Sequence, residues 1–600
     1  MTRRLILLLL LAAGVGARPA QATIQYQVSL AEPEKHLLHV TMTLDVPGNS
    51  VTVAIPAWNA LYQIKDFAHQ VQDVEATDTT GGAAVPLAVR KTDKQTWLVT
   101  EPPNANTAGT PHKVTITYAI FWDEAGPFTS QLNTKHAFLN LGEVLFYVPD
   151  RRRESVTVTY LDLPEGWRIA TELAPGSSGN SFQAQGYDAL VDAPAEAGTF
   201  DQFQFKEHDA NVRVVVDGHD WNRGRLEEIL RRIVGTETRM MRETPFPEYL
   251  FIFHFGSYRE AGGGGMEHMN STAIATSSDE AAAGVAAHEF FHLWNVKRIR
   301  PKGLEPVDYA KEQYTPALWF AEGVTNTYEN YTLVRSDLWT PAEFYQNMAT
   351  AFAELDSRPA RKWQSAEESS LDAWFEKYDL YNSPAFSISY YNKGQILGFL
   401  LDLAIRDATD DRKSLDDVLR TMNEEFAHKQ RTYDGYTDIE ASVENISGKD
   451  FHDFFRRYVA GTDDIPADQF LSAAGLELVK ASTRSASLGF WAVRGTDGSL
   501  TVMDVDPGST AEAAGIREGD VLVSLDGEEF PNNSARWLRQ HSPGETVRVR
   551  IRRFGSTMDL TFPLDEKTEL NYRIDELPQA TERQKRIRNG ILKGRTEPAG

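Results

Sequence analysis

The segment "AAHEFFHLWN", residues 286–295, constrains this chain more than any other ten residues in it. Ser277, Ser278, Asp279 and Glu280 ahead of it make a helix-start signal, and the alanine-rich run that follows is a strong helix former. A helix through the segment puts His288 and His292 one turn apart on one face, with Glu289 directly after the first. Two imidazoles so spaced can grip one Zn²⁺, and the glutamate beside them can reach a water on the metal. The competing reading is a buried helix whose histidines are satisfied by hydrogen bonds. A catalytic zinc centre also needs a third protein ligand and an open position, so the rest of the chain must supply one more donor.

Thirty residues on, "LWFAEGVTNTYENY" sets Glu322 mid-helix among large apolar side chains, where a carboxylate is costly unless paired or coordinated. Upstream, "AGGGGMEHMNSTAIATSS" reads as a glycine run beside an edge strand. Bare backbone at Gly264 and Gly265, followed by Met266, would let a substrate chain approach closely, and Glu267 and His268 come next. Downstream, "SYYNKGQ" opens a helix with Tyr390 and Tyr391, either of which can point a hydroxyl at the site. Asn326 and Glu329, one and two turns past Glu322, are candidates to orient the histidines. Lys297, Arg298 and Arg300 can attract a peptide carboxylate or simply complement a helix C-terminus.

The 600 residues, 41% hydrophobic and 10% aromatic, are enough for several packed cores, and length suggests roughly three to four domains. Residues 1–22 read as an export signal. Arg3 and Arg4 precede an apolar run too short to span a bilayer, and Ala20, Gln21 and Ala22 suit cleavage, so the mature chain is expected to begin near Thr23. Export to a bacterial periplasm fits the absence of cysteine, which rules out disulfides, thiolate ligands, a cysteine nucleophile and cysteine lipidation. An uncleaved signal acting as an anchor is the alternative. Loss of Arg3, Arg4 and Arg18 moves the formal charge from -24 to -27, which disfavours nucleic acid and anionic membranes as partners.

Short alternating runs such as "TIQYQVSL" and "KVTITYAIFW" predict a β-sandwich-like domain over residues 23–205. Strand, helix and strand signals from Asn211 to Phe255, then helical periodicity to about residue 475, predict a mainly α-helical second domain over 206–478. A third, β domain is expected over 479–567, and the charged tail 568–600 is expected to be unstructured. The fold class expected is therefore multidomain α+β.

The order "GGGMEH", "HEFFHLW", "FAEG" and "YYNKG" resembles the gluzincin aminopeptidases. In detail, "GGMEH" with "HEFFHLWNVKRIRP" is similar to the glycyl aminopeptidase family, whose members carry a C-terminal PDZ domain. The resemblance runs over nearly the whole mature chain and implies a thermolysin-like zinc peptidase domain. It implies His288, His292 and Glu322 as ligands of one Zn²⁺ per chain, Glu289 as general base, Glu267 as the acid that meets the substrate's free amine, and Tyr391 as the transition-state donor. The residues themselves leave Tyr390 and Tyr391 both open. The implied substrates are peptides with a free N-terminus and a small first residue such as Gly or Ala. In the third domain Leu488, Gly489 and Phe490 look like a PDZ carboxylate-binding loop for a peptide C-terminus or strand. Where the family often has a proline-glycine-serine-tyrosine turn, this chain has "IPAWNALYQIKDF". A zinc endopeptidase of the same class and an inactive peptide-binding scaffold are the two other readings. Preferred N-terminal residue, oligomeric state and PDZ ligand are not legible.

Overall fold

The computed structural model describes residues 24–59, 61–101, 112–494, 498–531 and 534–596, so the expected export signal lies outside the described residues. Among the described residues no helix is long and apolar enough to cross a membrane.

Alternation of side chains builds the first domain. Strands Ile24–Glu32 and Leu37–Val46 form a hairpin, and Tyr26, Val28, Leu38, Val40 and Met42 all point to one face and are buried. His112–Phe121 extends the sheet from one side, and Val156–Leu161 pairs in parallel with Ile24–Glu32 on the other. A smaller sheet of Ser50–Ala54, Thr96–Thr100 and Ala88–Lys91 shares this core, where Phe146 is stacked between Trp97 and Tyr118. The two layers make the expected sandwich.

A four-stranded sheet that includes His136–Leu139 and Ala195–Gly198 faces the second domain. Phe138, Ala170 and Phe200 pack there against Val215, Leu250, Ile252 and Ala273 of the next sheet. That next sheet runs Asp201–Glu207, Ala210–Gly218, Tyr249–Phe255, Ser271–Thr276 and Gly264–Glu267, with Gly264–Glu267 at one edge. The boundary expected at residue 206 therefore falls inside a strand. Phe203 and Phe205 alternate as strand residues, and Asp201–Glu207 is the hairpin partner of Ala210–Gly218, so it belongs to the second domain.

Helices cover the sheet and bury one large core. Two helical segments, Trp319–Val324 and Tyr390–Ala408, cross at a pair of glycines. A Cβ on Gly323 would lie 2.5 Å from the Gly394 Cα, and one on Gly394 would lie 2.1 Å from the Trp319 carbonyl oxygen. Only glycine permits this approach, which brings Glu322 and Tyr391 to the same cleft.

The third domain is a sheet of Phe490–Arg494, Leu500–Val505, Val521–Leu525, Thr546–Arg553 and Ser556–Pro563 around Val502, Ile516, Leu522, Val549 and Ile551. Its connection corrects two expectations. Leu476–Ser487 pairs along its whole length with Asp565–Glu576 in an antiparallel ribbon, so the expected boundaries at 479 and 567 both cut strands. The tail expected to be unstructured forms helix Glu582–Lys593, opened by a Thr581 capping box, with Ile587, Ile591 and Leu592 buried in the core of the second domain. Arg335 and Arg406, both almost wholly buried, donate to the carbonyls of Ile591 and Arg595 at 2.9 and 2.8 Å. The tail thus supplies acceptors that two interior cations require. Removing residues 480–600 would therefore damage the second domain rather than merely delete an accessory one. Ile591→Ala is expected to lower stability by about 2–4 kcal/mol in urea unfolding, whereas a solvated tail would give no change.

Candidate metal centre and cleft

Ser278 caps helix Asp279–Phe291 by accepting from the Ala281 N–H, as the sequence signals. One turn apart at its C-terminal end, His288 and His292 bring their Nε2 atoms within 2.9 Å of each other. Glu322 completes the group, its Oε2 lying 3.2 Å from His292 Nε2 and 3.6 Å from His288 Nε2. It sits in a π-helical turn, Trp319–Val324, a local widening of the helix that is common at functional sites. Three donor atoms thus converge on one point, with separations bracketing the roughly 3.3 Å expected between tetrahedral zinc ligands.

Outer contacts fix the rings. The other nitrogen of His292 is 2.7 Å from the Asn295 carbonyl oxygen, and that of His288 is 3.7 Å from Glu329 Oε2. Asn295 is itself fully buried and donates to the Phe320 carbonyl at 2.8 Å, tying the histidine helix to the segment that bears Glu322. Glu329 thus stands at ion-pair distance from His288.

Two other His–carboxylate groups lie away from this centre. His136 and His254 bond to different oxygens of Glu196, at 3.0 and 2.9 Å, and tie the first two domains together. Burial depresses His136, but the Glu196 carboxylate outweighs it and raises His136 to about 9. His112 meets Asp78 and Glu101 on opposite ring nitrogens, at 3.3 and 3.1 Å.

Glu289 lies beside the convergent group, buried, with Oε2 lacking any hydrogen-bond partner among the described residues. Burial lifts its carboxyl to about 7, against the opposing pull of His288 and His292. Burial acts on Glu322 in the same direction, yet the two imidazoles overcome it and hold Glu322 below the usual carboxylate range. Two carboxyl groups on one cluster are thus pushed apart, one toward proton exchange near neutrality and one toward permanent charge. The donor set fits a divalent ion of the zinc kind, and the unpartnered oxygen faces the same centre.

Gly265 makes this arrangement possible, because a Cβ there would lie 2.5 Å from Cγ and Oε1 of Glu289. Glu267 follows on the same edge strand, and its carboxylate, that of Glu289 and the His292 nitrogen all lie within 4.8 Å of one another. The hairpin turn after Glu267 is held from the N-terminal domain. Asp192 accepts from the Met269 N–H at 2.9 Å and from Lys297 at 2.6 Å, and Glu172 accepts from the Asn270 N–H at 3.0 Å. Lys297 reaches the cleft wall already paired with Asp192, whereas Arg298 bonds to the carbonyls of Met269, Leu293 and Pro245 and does not line the cleft.

These groups line a cleft of about 590 Å³ together with Gly265, Met266, Arg300 and Tyr391. Gly264 does not line it; it starts the strand, at φ +98°, against Phe128. Tyr391 has its ring 6.3 Å from that of His288, whereas Tyr390 is buried and outside the cleft. Of the two tyrosines in "SYYNKGQ", Tyr391 is the one that lines the cleft. Sequence reasoning gave no role to Asn295, Glu172, Asp192 or Tyr62; Asn295 and Tyr62 stand inside the quoted segments "AAHEFFHLWN" and "IPAWNALYQIKDF", whereas Glu172 and Asp192 carry no local signal.

In the third domain Leu488 is buried and Gly489 adopts φ +70°. A Cβ at Gly489 would meet Ser509 and Asp565, so the loop closes tightly under strand Phe490–Arg494. Among the described residues this strand pairs only with Leu500–Val505 and leaves its other edge open.

Residues 281–397 match the family model described as M61 glycyl aminopeptidase, residues 25–199 that of the peptidase M61 N-terminal domain, and residues 501–553 that of a PDZ domain. No curated protein matches the sequence. Among solved structures, an aminopeptidase N family protein from Idiomarina loihiensis is 24% identical with a TM-score of 0.83, over 95% of this chain and 100% of that one. An M1 zinc metallopeptidase from Deinococcus radiodurans is 15% identical with a TM-score of 0.45, over 74% of this chain and 94% of that one. The first likeness shows the same fold.

Proposed function

We propose that this chain, a metallopeptidase whose segments match the M61 glycyl aminopeptidase, M61 N-terminal and PDZ domain models, is a zinc-dependent aminopeptidase removing small N-terminal residues from peptides. The observation that carries the reading is the position of Glu267, whose carboxylate shares a 4.8 Å neighbourhood with Glu289 and His292. A charge so close to the reacting centre leaves room for one residue between a bound ammonium and the bond to be cut.

His288, His292 and Glu322 would hold the zinc, which would supply the Lewis acid that polarises the scissile carbonyl and acidifies the attacking water. Glu289 takes the proton from that water and hands it to the leaving nitrogen. Its raised pKa suits both transfers, and the unpartnered Oε2 gives the proton a place to go. Glu267 pairs with the substrate's α-ammonium and sets the register of the chain. The exposed edge of Gly264–Glu267 accepts substrate backbone as an added strand, which the small residues there permit. Tyr391 donates its O–H to the carbonyl oxygen as negative charge grows there. The open edge beside Leu488, Gly489 and Phe490 suits a second stretch of peptide. We also assign the protein to the periplasm, from the N-terminal export pattern.

Metal analysis tests the reading. The purified protein is expected to carry one zinc per chain, to lose peptidase activity on exhaustive chelation, and to regain it when zinc is restored. Full activity in a sample shown to be metal-free would contradict it.

A further inference from the structure

The catalytic domain does not build its cleft alone. Trp58, Leu61 and Tyr62 of the N-terminal domain line it together with Glu267, Glu322 and Tyr391. Leu61 and Tyr62 have φ of +57° and +48°, two neighbouring non-glycine residues in the left-handed region, where a Cβ is strained. Such strain persists only where the surroundings dictate it, and it gathers at ligand sites.

The surroundings here are specific. The Ala57 N–H donates to the Tyr309 carbonyl at 2.8 Å, and the Ala57 carbonyl accepts from Lys65 and Asp66 at 2.8 and 2.9 Å. The Trp58 indole N–H donates to the carbonyls of Asp308 and Lys311, both at 2.9 Å. Trp374 of the catalytic domain then takes Trp58 edge-on at 5.2 Å and Tyr62 edge-on at 6.0 Å. Both ends of the loop are fastened, so Tyr62 is held in the cleft by the fold itself. Its hydroxyl makes no hydrogen bond to any described residue, and Glu289 Oε2 in the same cleft is likewise without a partner among them. Burial, then the carboxylates of Glu322 and Glu267, keep that hydroxyl protonated.

We propose that Tyr62 is a substrate-contacting residue supplied by the N-terminal domain: its ring walls the subsite of the substrate's first residue, and its hydroxyl hydrogen-bonds that residue. The assignment rests on the aminopeptidase reading only for which end of the peptide lies there.

The test uses the full-length zinc-loaded enzyme and free-amine peptides whose first residue is Gly, Ala, Leu or Phe. Tyr62→Phe keeps the ring on Trp374 and removes only the hydroxyl. It is expected to raise KM about tenfold, with kcat within about twofold, at unchanged zinc content and melting temperature. Tyr62→Ala opens the wall and is expected to shift relative kcat/KM about tenfold toward Leu and Phe over Gly. A purely structural role would move melting temperature without this split or this change of preference. Should both variants keep the intact enzyme's KM and its preference, the proposal is overturned. If the alanine variant does not fold, the phenylalanine variant decides alone. The aminopeptidase reading is checked separately on the intact enzyme with N-acetylated peptides, so its failure would show there and leave the Tyr62→Phe ratio readable on whatever peptides are cut.

Discussion

Glu289→Gln is expected to keep its zinc and to lose on the order of 10⁴-fold in kcat. The substitution preserves shape, which the site demands. Gly265 packs so closely on the Glu289 side chain that even one added carbon on the strand would collide with it. What the amide cannot do is accept a proton from water and return it to the leaving nitrogen. Steady-state rates beside metal analysis make the check, and hydrolysis near the wild-type rate with zinc bound would remove Glu289 from the role of base.

Glu322→Ala is expected to act by a different route, with zinc lost from the protein and activity lost with it, again by on the order of 10⁴-fold. Among the described residues its carboxylate alone makes ion-pair contact with both histidine Nε2 atoms, at 3.6 and 3.2 Å, and those atoms stand 2.9 Å apart. The burial that would favour a neutral carboxyl is overcome by those imidazoles, so the three residues act as one unit. Titration with zinc should show sharply weakened binding in this variant and near-native binding in Glu289→Gln. Equal metal affinity in the two would separate Glu322 from the centre.

Much of this was legible because it is local. Helix Asp279–Phe291 announces itself through its cap and alanines, and a spacing of four along a helix leaves two histidines little freedom. Glu322 was legible by contradiction, an acid among Trp319, Phe320 and Val324 that must meet a cation. The rest depends on contacts between distant parts of the chain. "DQFQFKE" alternates as a strand should, but only its pairing with Ala210–Gly218 shows which domain owns it. The tail has few apolar residues. Its Tyr572 and Ile574 alternate, and its Ile587 and Ile591 lie one turn apart, so each short pattern suffices only because a partner ribbon and a core are waiting. The hold of Asp192 and Glu172 on the hairpin that carries Glu267, and the arrival of Tyr62 from a strained loop, join residues about 80 to 330 positions apart. No window of sequence contains them.

Glu267 is where geometry becomes specificity. A half-buried carboxylate that pairs with an ammonium gains little from a neutral acetamide, which would leave that charge unpartnered and bring extra bulk into the 4.8 Å space shared with Glu289 and His292. The most direct measurement is the rate of release of the first residue from one peptide offered with a free N-terminus and with the same N-terminus acetylated. The free peptide is expected to be cut on the order of 10³-fold faster by the intact enzyme, with the advantage collapsing in Glu267→Gln. Equal rates for the two peptides in the intact enzyme would contradict an aminopeptidase and point to a zinc endopeptidase.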